Sequence, residues 1–265
     1  NIIQFKDGCI DIHTGERFQP DPSKLYVARI PHNIGESEET PVIDNLFRSW
    51  VGEDYVRTLQ EYCAYCMYDG YPIHVIFTLI GSGRNGKGQF MTLLERLIGK
   101  ENVTSTDLEI LASASNGRFE SAKMYMKKVV LMGETNFSVL RNTAMLKQLS
   151  GSDMVRAEFK NKPNFDFINT AKITIASNSL PPTHDKTEGF YRRWMIIDFP
   201  NRFPEGKPVV DTIPEIEYEN MCRKCIRILR ELLEIGKFTN QGTVEERMKR
   251  YEAKSNPVVA FIDQQ

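Results

Sequence analysis

A glycine-rich stretch in the first third of the chain constrains its fold more than any other feature. Residues 81–88 have the sequence GSGRNGKG and follow the apolar run VIFTLI at 75–80. Apolar residues at helical spacing come directly afterwards, from Phe90 to Ile98. A strand, a glycine-rich loop ending in Gly-Lys and a helix form the context of a P-loop, which binds nucleotide phosphates. The sequence therefore predicts a nucleotide-binding α/β domain.

The residue types of this loop suit the binding of ATP. Glycine has no Cβ, so backbone N–H groups can surround the phosphate oxygens. The N-terminus of the following helix adds a partial positive charge, and Lys87 is predicted to reach the β- and γ-phosphates. The predicted nucleotide contacts are Gly81, Gly83, Arg84, Asn85, Gly86, Lys87, Gly88 and Gln89.

The position after the lysine departs from the P-loop pattern. A Ser or Thr at this position supplies a hydroxyl ligand to Mg²⁺, whereas this chain has Gly88. Three explanations stay open: a water replaces the ligand, Gln89 reaches the ion, or metal binding is weak. ATP and Mg²⁺ are still the predicted cofactors, and no separate metal site is predicted.

The composition limits the classes of protein to which this chain can belong. Of the 265 residues, 41% are hydrophobic, which is enough for one large domain or one domain with flanking subdomains. The net charge of −1 gives no domain-wide basic field, so any DNA contact must use local patches. No run approaches the roughly 18 apolar residues of a membrane span, and no signal peptide is visible. We expect a cytoplasmic protein without membrane contact and, because the chain begins with Asn1, a fragment of a longer protein.

Four of the five cysteines form two Cys-x-x-Cys pairs. Cys63 and Cys66 share one apolar helical face, and Cys222 and Cys225 share another. Roughly 155 residues separate the pairs, which is far more than the spacing of a zinc ribbon. Packing in the core is the preferred interpretation, because cysteine is among the most often buried residue types. A disulfide and a zinc site are the alternatives.

The predicted strands and helices fall in three parts of the chain. Residues 1–72 form a collar-like region of short strands and helices, and residues 73–204 form the P-loop ATPase core. Strands and helices alternate in that core, which indicates an α/β fold with a mainly parallel sheet. Residues 205–265 form a helical segment that we expect to lead to a downstream domain. The elements predicted outside the core are strands at 2–5, 9–12 and 25–30, and helices at 43–50, 55–67, 216–235 and 244–254.

Two further strands of the core are predicted to end in polar residues. The apolar run 129–132 is followed by Gly133 and Glu134, and the run 172–177 is followed by Asn178. Ligands of open α/β sheets lie beyond the carboxyl ends of the strands, so both side chains are expected beside the P-loop. Glu134 is the candidate to polarise the attacking water, and Asn178 to hydrogen-bond the γ-phosphate or position the water. A solvated acid and a turn-forming asparagine are the simpler alternatives.

Two arginines precede the last strand of the core. Arg192 and Arg193 come shortly before the apolar residues 195–199. An arginine at the edge of a sheet suits an arginine finger, which a neighbouring subunit supplies to stabilise charge on the transferred phosphate. We favour Arg193 over Arg192 for this role. A surface pair that contacts acidic residues is the alternative.

A basic and aromatic segment lies between the two polar strand ends. Strand-like runs flank a turn with the sequence KNKP, which predicts a β-hairpin over residues 154–168. Basic side chains track a phosphate backbone and aromatic rings stack on bases. The candidate DNA contacts are Arg156, Phe159, Lys160 and Lys162. The alternative is a solvated hairpin whose aromatic residues belong to the core.

In this order the motifs resemble those of superfamily 3 DNA helicases, specifically the primase-helicases of poxviruses, satellite phages and archaeal plasmids. The resemblance spans nearly the whole chain, although Gly88 and Gly133 depart from the strongest signatures of the family. The residues that carry it are 81–88, Glu134, 146–153, 156–162, Asn178 and Arg192-Arg193, with further similarity at 3–8, 59–65 and 256–262.

The resemblance implies an AAA+-like ATPase that assembles into a hexameric ring. In this family a hairpin between the second and third ATPase signatures lines the pore and moves single-stranded DNA, and residues 156–162 take that place here. Lys87, Glu134 and Asn178 would come from one subunit and an arginine from the next. The resemblance also implies replication forks as the substrate and a primase domain in the same full-length chain.

Three other functions remain open from the sequence. An AAA+-type remodelling ATPase would act on protein and would not need a basic hairpin. A small-molecule or nucleotide kinase would use its arginines in cis. A P-loop-derived DNA-binding module with little hydrolysis would tolerate Gly88 and Gly133.

Overall fold

Ten strands and nine α-helices make up the described part of this computed structural model, which comprises residues 2–24, 26–113, 116–133 and 139–255. The strands are β1 (Ile2–Phe5), β2 (Gly8–Asp11), β3 (Arg17–Phe18), β4 (Ile76–Ile80), β5 (Val103–Ser105), β6 (Val129–Met132), β7 (Met154–Ala157), β8 (Phe165–Ile168), β9 (Lys172–Ser177) and β10 (Trp194–Asp198). The helices are α1 (Pro41–Val51), α2 (Glu53–Met67), α3 (Lys87–Ile98), α4 (Leu108–Leu111), α5 (Gly117–Ala122), α6 (Ala144–Leu149), α7 (Glu188–Tyr191), α8 (Glu215–Ile235) and α9 (Val244–Ser255).

Five strands form one parallel sheet in the order β10-β4-β9-β6-β5. β4 lies near its centre, with Phe77 opposite Thr174 of β9 and Ile76 opposite Trp194 of β10. β4 and β9 are buried along their whole length, as expected for strands of a parallel sheet covered on both faces. All five strands run the same way, so their carboxyl ends meet at one edge. The predicted α/β core with a mainly parallel sheet is confirmed.

Two hydrophobic clusters cover the two faces of this sheet. Phe77 and Leu79 of β4 pack with apolar residues of α1, α2, α3 and α8. Ile76 and Ile80 point to the other face and pack with residues of α6 and α9. Each such buried side chain contributes roughly 1.5–3 kcal/mol relative to an exposed one. The helices before and after the core therefore hold the central strand, and with it the loop that follows β4, in place.

The paired cysteines lie in the first of these clusters, on α2 and α8. Cys63, Cys66, Cys222 and Cys225 are fully buried free thiols. Burial raises the pKa of the Cys66 thiol to about 12, so this thiol stays protonated and is a poor metal ligand near neutral pH. The interpretation of these cysteines as core residues is confirmed.

The N-terminal region contains an antiparallel sheet in the order β1-β2-β3. The strand predicted at 25–30 is wrong: of its described residues, Arg29 alone forms a bridge, to Gln4 of β1. One side of β1 is already paired with β2, and the segment meets the other side only at this bridge and at the Ile30 N–H, which donates to Gln4 O. None of the described helices is both long enough and apolar enough to cross a membrane.

Candidate nucleotide-binding site

The loop between β4 and α3 has the backbone of a phosphate-binding loop. β4 ends at Ile80, and α3 begins at Lys87. Arg84 and Gly86 adopt positive φ angles of 62° and 96°, a conformation that turns backbone N–H groups inward to form an anion-binding concavity. A side chain at Gly86 would overlap the indole ring of Trp50. Packing against α1 therefore requires glycine at this position.

Asn85 holds the loop in this shape. Its side chain is buried, and its Nδ2 donates a hydrogen bond to the backbone O of Phe199 at 3.2 Å. Its Oδ1 accepts a hydrogen bond from Lys87 Nζ at 3.2 Å. A Cβ at Gly81 would overlap the same amide. The Asn85 side chain therefore contacts the loop itself and positions Lys87.

Lys87 and Asn178 meet at the carboxyl edge of the sheet. The Lys87 side chain is buried, and its Nζ donates hydrogen bonds to Gly81 O and to Asn178 Oδ1, the latter at 3.3 Å. Asn178 follows β9, the strand that pairs with β4. The structure thus brings together two residues predicted from separate motifs, one from a loop and one from a strand end about 90 residues away.

Glu134 lies outside the residues that the structure describes, so its predicted position stays a prediction. The strand before it, β6, ends at Met132 beside β9. β6 is parallel to β9 and therefore ends at the same edge of the sheet as Lys87 and Asn178. At Gly133 an added Cβ has no atom within 4 Å, so a second acid would have room at this position.

The position after Lys87, Gly88, has space for a side chain. An added Cβ at Gly88 has no atom within 4 Å of it, so the backbone could carry a Ser without a clash. Gln89 does not fill this place, because its Oε1 accepts a hydrogen bond from the backbone N–H of Val210 at 3.2 Å. The explanation in which Gln89 supplies the missing metal ligand is therefore not supported.

The residues present fit a triphosphate better than they fit a bare metal ion. Gly83 and Gly88 leave open space at the loop, the amino end of α3 offers N–H donors, and Lys87 supplies a cation. Over the described ranges, no group of His, Cys, Asp and Glu could hold a metal ion.

Arg192 and Arg193 lie at the amino ends of the strands, opposite the carboxyl ends where Lys87 and Asn178 meet. They precede β10, whose first residue, Trp194, pairs with Ile76 at the start of β4. The P-loop follows the other end of β4, five strand residues away, which is about 16 Å. A kinase whose arginines act in cis is therefore not supported by this geometry.

The preference for Arg193 over Arg192 is also not supported. The buried guanidinium of Arg193 donates to Ser150 Oγ at 3.0 Å, to Lys147 O at 3.1 Å and to Gly189 O. Burial lowers the pKa of Arg193. Its donors hold the C-terminal end of α6, so Arg193 is a structural residue. The side chain of Arg192 is exposed and forms no hydrogen bond or ion pair with described residues, which makes Arg192 the better candidate for a finger.

The predicted hairpin is formed by β7 and β8, which pair in antiparallel register. Val155 and Phe167 are opposite each other and buried, and they join the hydrophobic cluster below the sheet. Arg156 and Asp166 form the next pair and are exposed. The alternation of buried and exposed residues fixes the register and leaves the basic side chains in solvent.

The tip of the hairpin combines charge with an aromatic surface. Phe159 is 40% exposed, and its ring stacks on Phe165 with the ring centroids 5.1 Å apart. Lys162 Nζ lies 5.8 Å from the centroid of the Phe159 ring. Lys160 and Lys162 are exposed and form no ion pair within the described part of the chain. The alternative, a solvated hairpin with its aromatic residues in the core, is thus wrong for Phe159, whereas Phe165 packs against the buried cluster that includes Phe167.

Comparisons with known proteins agree with this architecture. Residues 79–193 match a family described as "Family of unknown function (DUF5906)", a range that includes the P-loop, Asn178 and both arginines. A curated relative from Acanthamoeba polyphaga mimivirus, described as "Putative helicase L207/L206", is 25% identical over 213 residues. These residues make up 76% of this chain and 22% of that protein, so the chain spans about a fifth of this relative.

Two solved structures of the NrS-1 C-terminal region share the fold. The first has a TM-score of 0.59 and 17% identity and covers 91% of this chain and 55% of that one. The second has a TM-score of 0.57 and 18% identity, with coverage of 91% and 56%. These matches show that the chain shares the fold of that region, and the curated relative is described as a putative helicase.

Proposed function

We propose that this helicase-like domain hydrolyses ATP at the interfaces between subunits of a ring, and that it uses the energy to move single-stranded DNA through the pore. The observation that carries the proposal is the placement of the charged groups. Lys87 and Asn178 meet at the carboxyl edge of the sheet, and an exposed arginine lies at the opposite edge. A head-to-tail interface would bring these two edges together, and repeated rotation would close a ring.

Each residue has a defined role in this proposal. The P-loop backbone and Lys87 bind the β- and γ-phosphates. Asn178 hydrogen-bonds the γ-phosphate without adding charge, and Glu134 polarises the attacking water. Arg192 of the next subunit stabilises the charge that develops on the transferred phosphate. Mg²⁺ bound together with ATP would neutralise charge on the phosphates.

The hairpin of β7 and β8 would couple hydrolysis to DNA. Arg156, Lys160 and Lys162 would contact successive phosphates, and Phe159 would stack on a base. This is the basis on which we propose single-stranded DNA at a replication fork as the partner. The hexameric state, the primase domain in the same full-length chain and the cytoplasmic location rest on the family resemblance and the composition.

ATP hydrolysis with Mg²⁺, measured with and without single-stranded DNA, tests the proposal. We expect turnover that rises several-fold with DNA in the wild-type chain and falls by at least about 100-fold in Lys87→Ala, because the lysine contacts the phosphates. Arg193→Lys serves as a control for damage to the fold. Turnover that DNA does not change would argue against a DNA-coupled motor and for a remodelling ATPase.

A second function, an ATP-binding module with little hydrolysis, is favoured by one observation. Positions 88 and 133 have room for the missing hydroxyl and carboxylate, yet both residues are glycine. In this case ATP binds normally and wild-type turnover equals that of Lys87→Ala. Measuring ATP affinity beside turnover separates this function from simple loss of nucleotide binding.

A further inference from the structure

A second arginine lies beside Arg192, on the helix that packs against the sheet edge. Arg247 of α9 donates a hydrogen bond from Nη1 to the backbone O of Arg192, and its Nε donates to Thr243 O at 3.4 Å. Both acceptors are neutral carbonyl oxygens. Arg247 is half-buried, and the described residues give it no carboxylate partner.

Further along the same helix, the basic side chains are paired with a carboxylate. Arg250 forms an ion pair with Asp198 at 2.6 Å, and Lys254 contacts the same carboxylate at 3.1 Å. Protein cations that lose solvent are normally paired in this way, because an uncompensated buried charge is costly. Arg247 is the exception on this face of α9.

The surroundings of Arg247 are rich in positive charge. His74, Arg192, Arg193 and Arg247 form what we call the cationic cluster. Burial lowers the pKa of Arg247, and the charge of Arg192 lowers it further. The same two causes, burial and arginine charge, lower the pKa of His74, and Asp153 opposes them. Two acids lie at these cations, Asp153 and, in the cavity that Arg247 lines, Glu246. The three arginines outnumber them, so an anion from outside the subunit would stabilise the cluster.

Arg247 is also accessible from outside the subunit. Arg247 lines a cavity of about 280 Å³ between β10 and α9, together with Asn240 and Gln241. The lining also includes the apolar residues Trp194, Met195 and Ile196 and one acid, Glu246. Arg250 of the lining is paired with Asp198, so Arg247 is the cation in this cavity that has no carboxylate partner among the described residues. The subunit's own P-loop lies beyond the other end of β4, so the anion must come from elsewhere.

We propose that Arg247 is a second trans-acting residue, whose guanidinium contacts the triphosphate bound to the P-loop of the adjacent subunit together with Arg192. The inference deepens the proposed function and rests on it. Two adjacent guanidinium groups offer paired N–H donors to the oxygens of neighbouring phosphates, which one lysine could not do. The hydrogen bond from Arg247 to the Arg192 backbone would place both side chains on the same phosphate chain.

Mixing of defective subunits tests this inference. Arg247→Gln is expected to lower turnover by about 10- to 100-fold without changing ATP affinity of the isolated subunit. A 1:1 mixture with Lys87→Ala should regain turnover at about a quarter of the interfaces, where an intact P-loop meets an intact Arg247. No regain at any ratio would overturn the inference, because it would mean that Arg247 acts in cis or only through the fold.

Three controls separate the possible outcomes. Lys249→Gln removes a solvent-exposed charge from the same helix and should leave turnover unchanged. The double variant of Arg192→Gln and Arg247→Gln should be slower than Arg192→Gln alone, because a residue that only positions Arg192 adds nothing once Arg192 is gone. If Arg247→Gln fails to fold, Arg247→Lys, which keeps the charge but loses the planar fork, goes through the same mixtures with the same expectation.

The inference and the proposed function can fail separately. Two results together would overturn only the role of Arg247. In the first, a mixture of Arg192→Gln with Lys87→Ala regains turnover. In the second, Arg247→Gln is as active as Lys249→Gln. A loss of single-stranded DNA affinity in Arg247→Gln with unchanged turnover would assign the cluster to DNA phosphates and would also overturn it. Absence of turnover in the wild-type chain would overturn both.

Discussion

At Gly88 the chain lacks a hydroxyl group for which the surrounding structure has room. Gly88→Ser would place an oxygen at the first turn of α3, next to the loop that we propose binds the phosphates. We expect this variant to need roughly 10-fold less Mg²⁺ for half-maximal turnover, because a protein ligand then supplements the water. Turnover measured against Mg²⁺ concentration checks this.

The matched control at the same position is Gly88→Ala. Alanine fills the same space and removes the same flexibility but brings no oxygen. If the Ser and Ala variants need equal Mg²⁺ concentrations, the hydroxyl does not act on the metal and the prediction is wrong.

Lys172 is a buried cation whose protonation is coupled to folding. Its Nζ donates to Thr170 O at 2.9 Å and to Tyr68 O, and it lies 4.8 Å from the ring centroid of Tyr65. Burial lowers its pKa to about 7. Between about pH 7 and 10.5 the unfolded chain therefore binds more protons at this residue than the folded chain, so stability gained from Lys172 rises with pH.

Comparison with Lys172→Met isolates this effect. From pH 7 to 8.5 the wild-type free energy of unfolding should rise by roughly 1–2 kcal/mol relative to that of the variant. The buried cysteines act in the opposite direction as the pH rises. They are present in both proteins, although the charge of Lys172 also lowers the pKa of Cys66 and is lost in the variant. Denaturant unfolding at several pH values measures this difference in the free energy of unfolding. Parallel pH profiles of the two proteins would contradict the prediction.

Single residues also mark how far the sequence could predict the site. Lys87 and Asn178 were predictable because each follows an apolar strand, and parallel strands end at the same edge. The choice between Arg192 and Arg193 was not, because both precede β10 directly. Arg193 is buried only because Ser150 and the carbonyl oxygens of α6 and α7 come near it in the fold.

At the scale of elements, length and pattern decided which predictions succeeded. β4, α8 and α9 lie within one residue of their predicted bounds, and the apolar residues predicted from Phe90 to Ile98 all lie in α3. β5 has only three residues and no distinct pattern, so nothing in the sequence indicates it. It is a strand because β6 pairs with it at the edge of the sheet.

The hairpin of β7 and β8 is the element on which the proposed contact with DNA depends. Lys160→Ala with Lys162→Ala should weaken single-stranded DNA binding by roughly 10-fold and reduce the salt dependence by about 1.4 in the log–log slope, since two phosphate contacts are lost. ATP affinity should be unchanged, because the hairpin is not part of the P-loop. Fluorescence anisotropy at several salt concentrations measures both quantities.

A double variant of exposed lysines elsewhere, Lys237→Ala with Lys249→Ala, removes the same charge from other surfaces. It should retain the DNA affinity of the wild-type chain. Equal affinity of both double variants would mean that the hairpin does not contact DNA, and it would favour a remodelling ATPase that acts on protein.

For the whole molecule, the parallel sheet separates two halves of the proposed catalytic site. Lys87 lies at one edge, and Arg192 lies at the other, about 16 Å along the strands. This separation does not favour a single subunit that places both groups on one phosphate. In the proposed function, the site would be complete only where two copies meet head to tail.

This separation predicts that nucleotide and assembly are coupled. A non-hydrolysable ATP analogue should shift the wild-type chain toward larger oligomers, because the bound triphosphate adds contacts across the interface. Arg192→Gln should weaken this shift, and Lys87→Ala should abolish it. Light scattering on size-separated protein, with and without the analogue, measures the mass. A mass that is independent of nucleotide and equal in all three proteins would contradict a shared site, since ligand that bridges two subunits must stabilise their association.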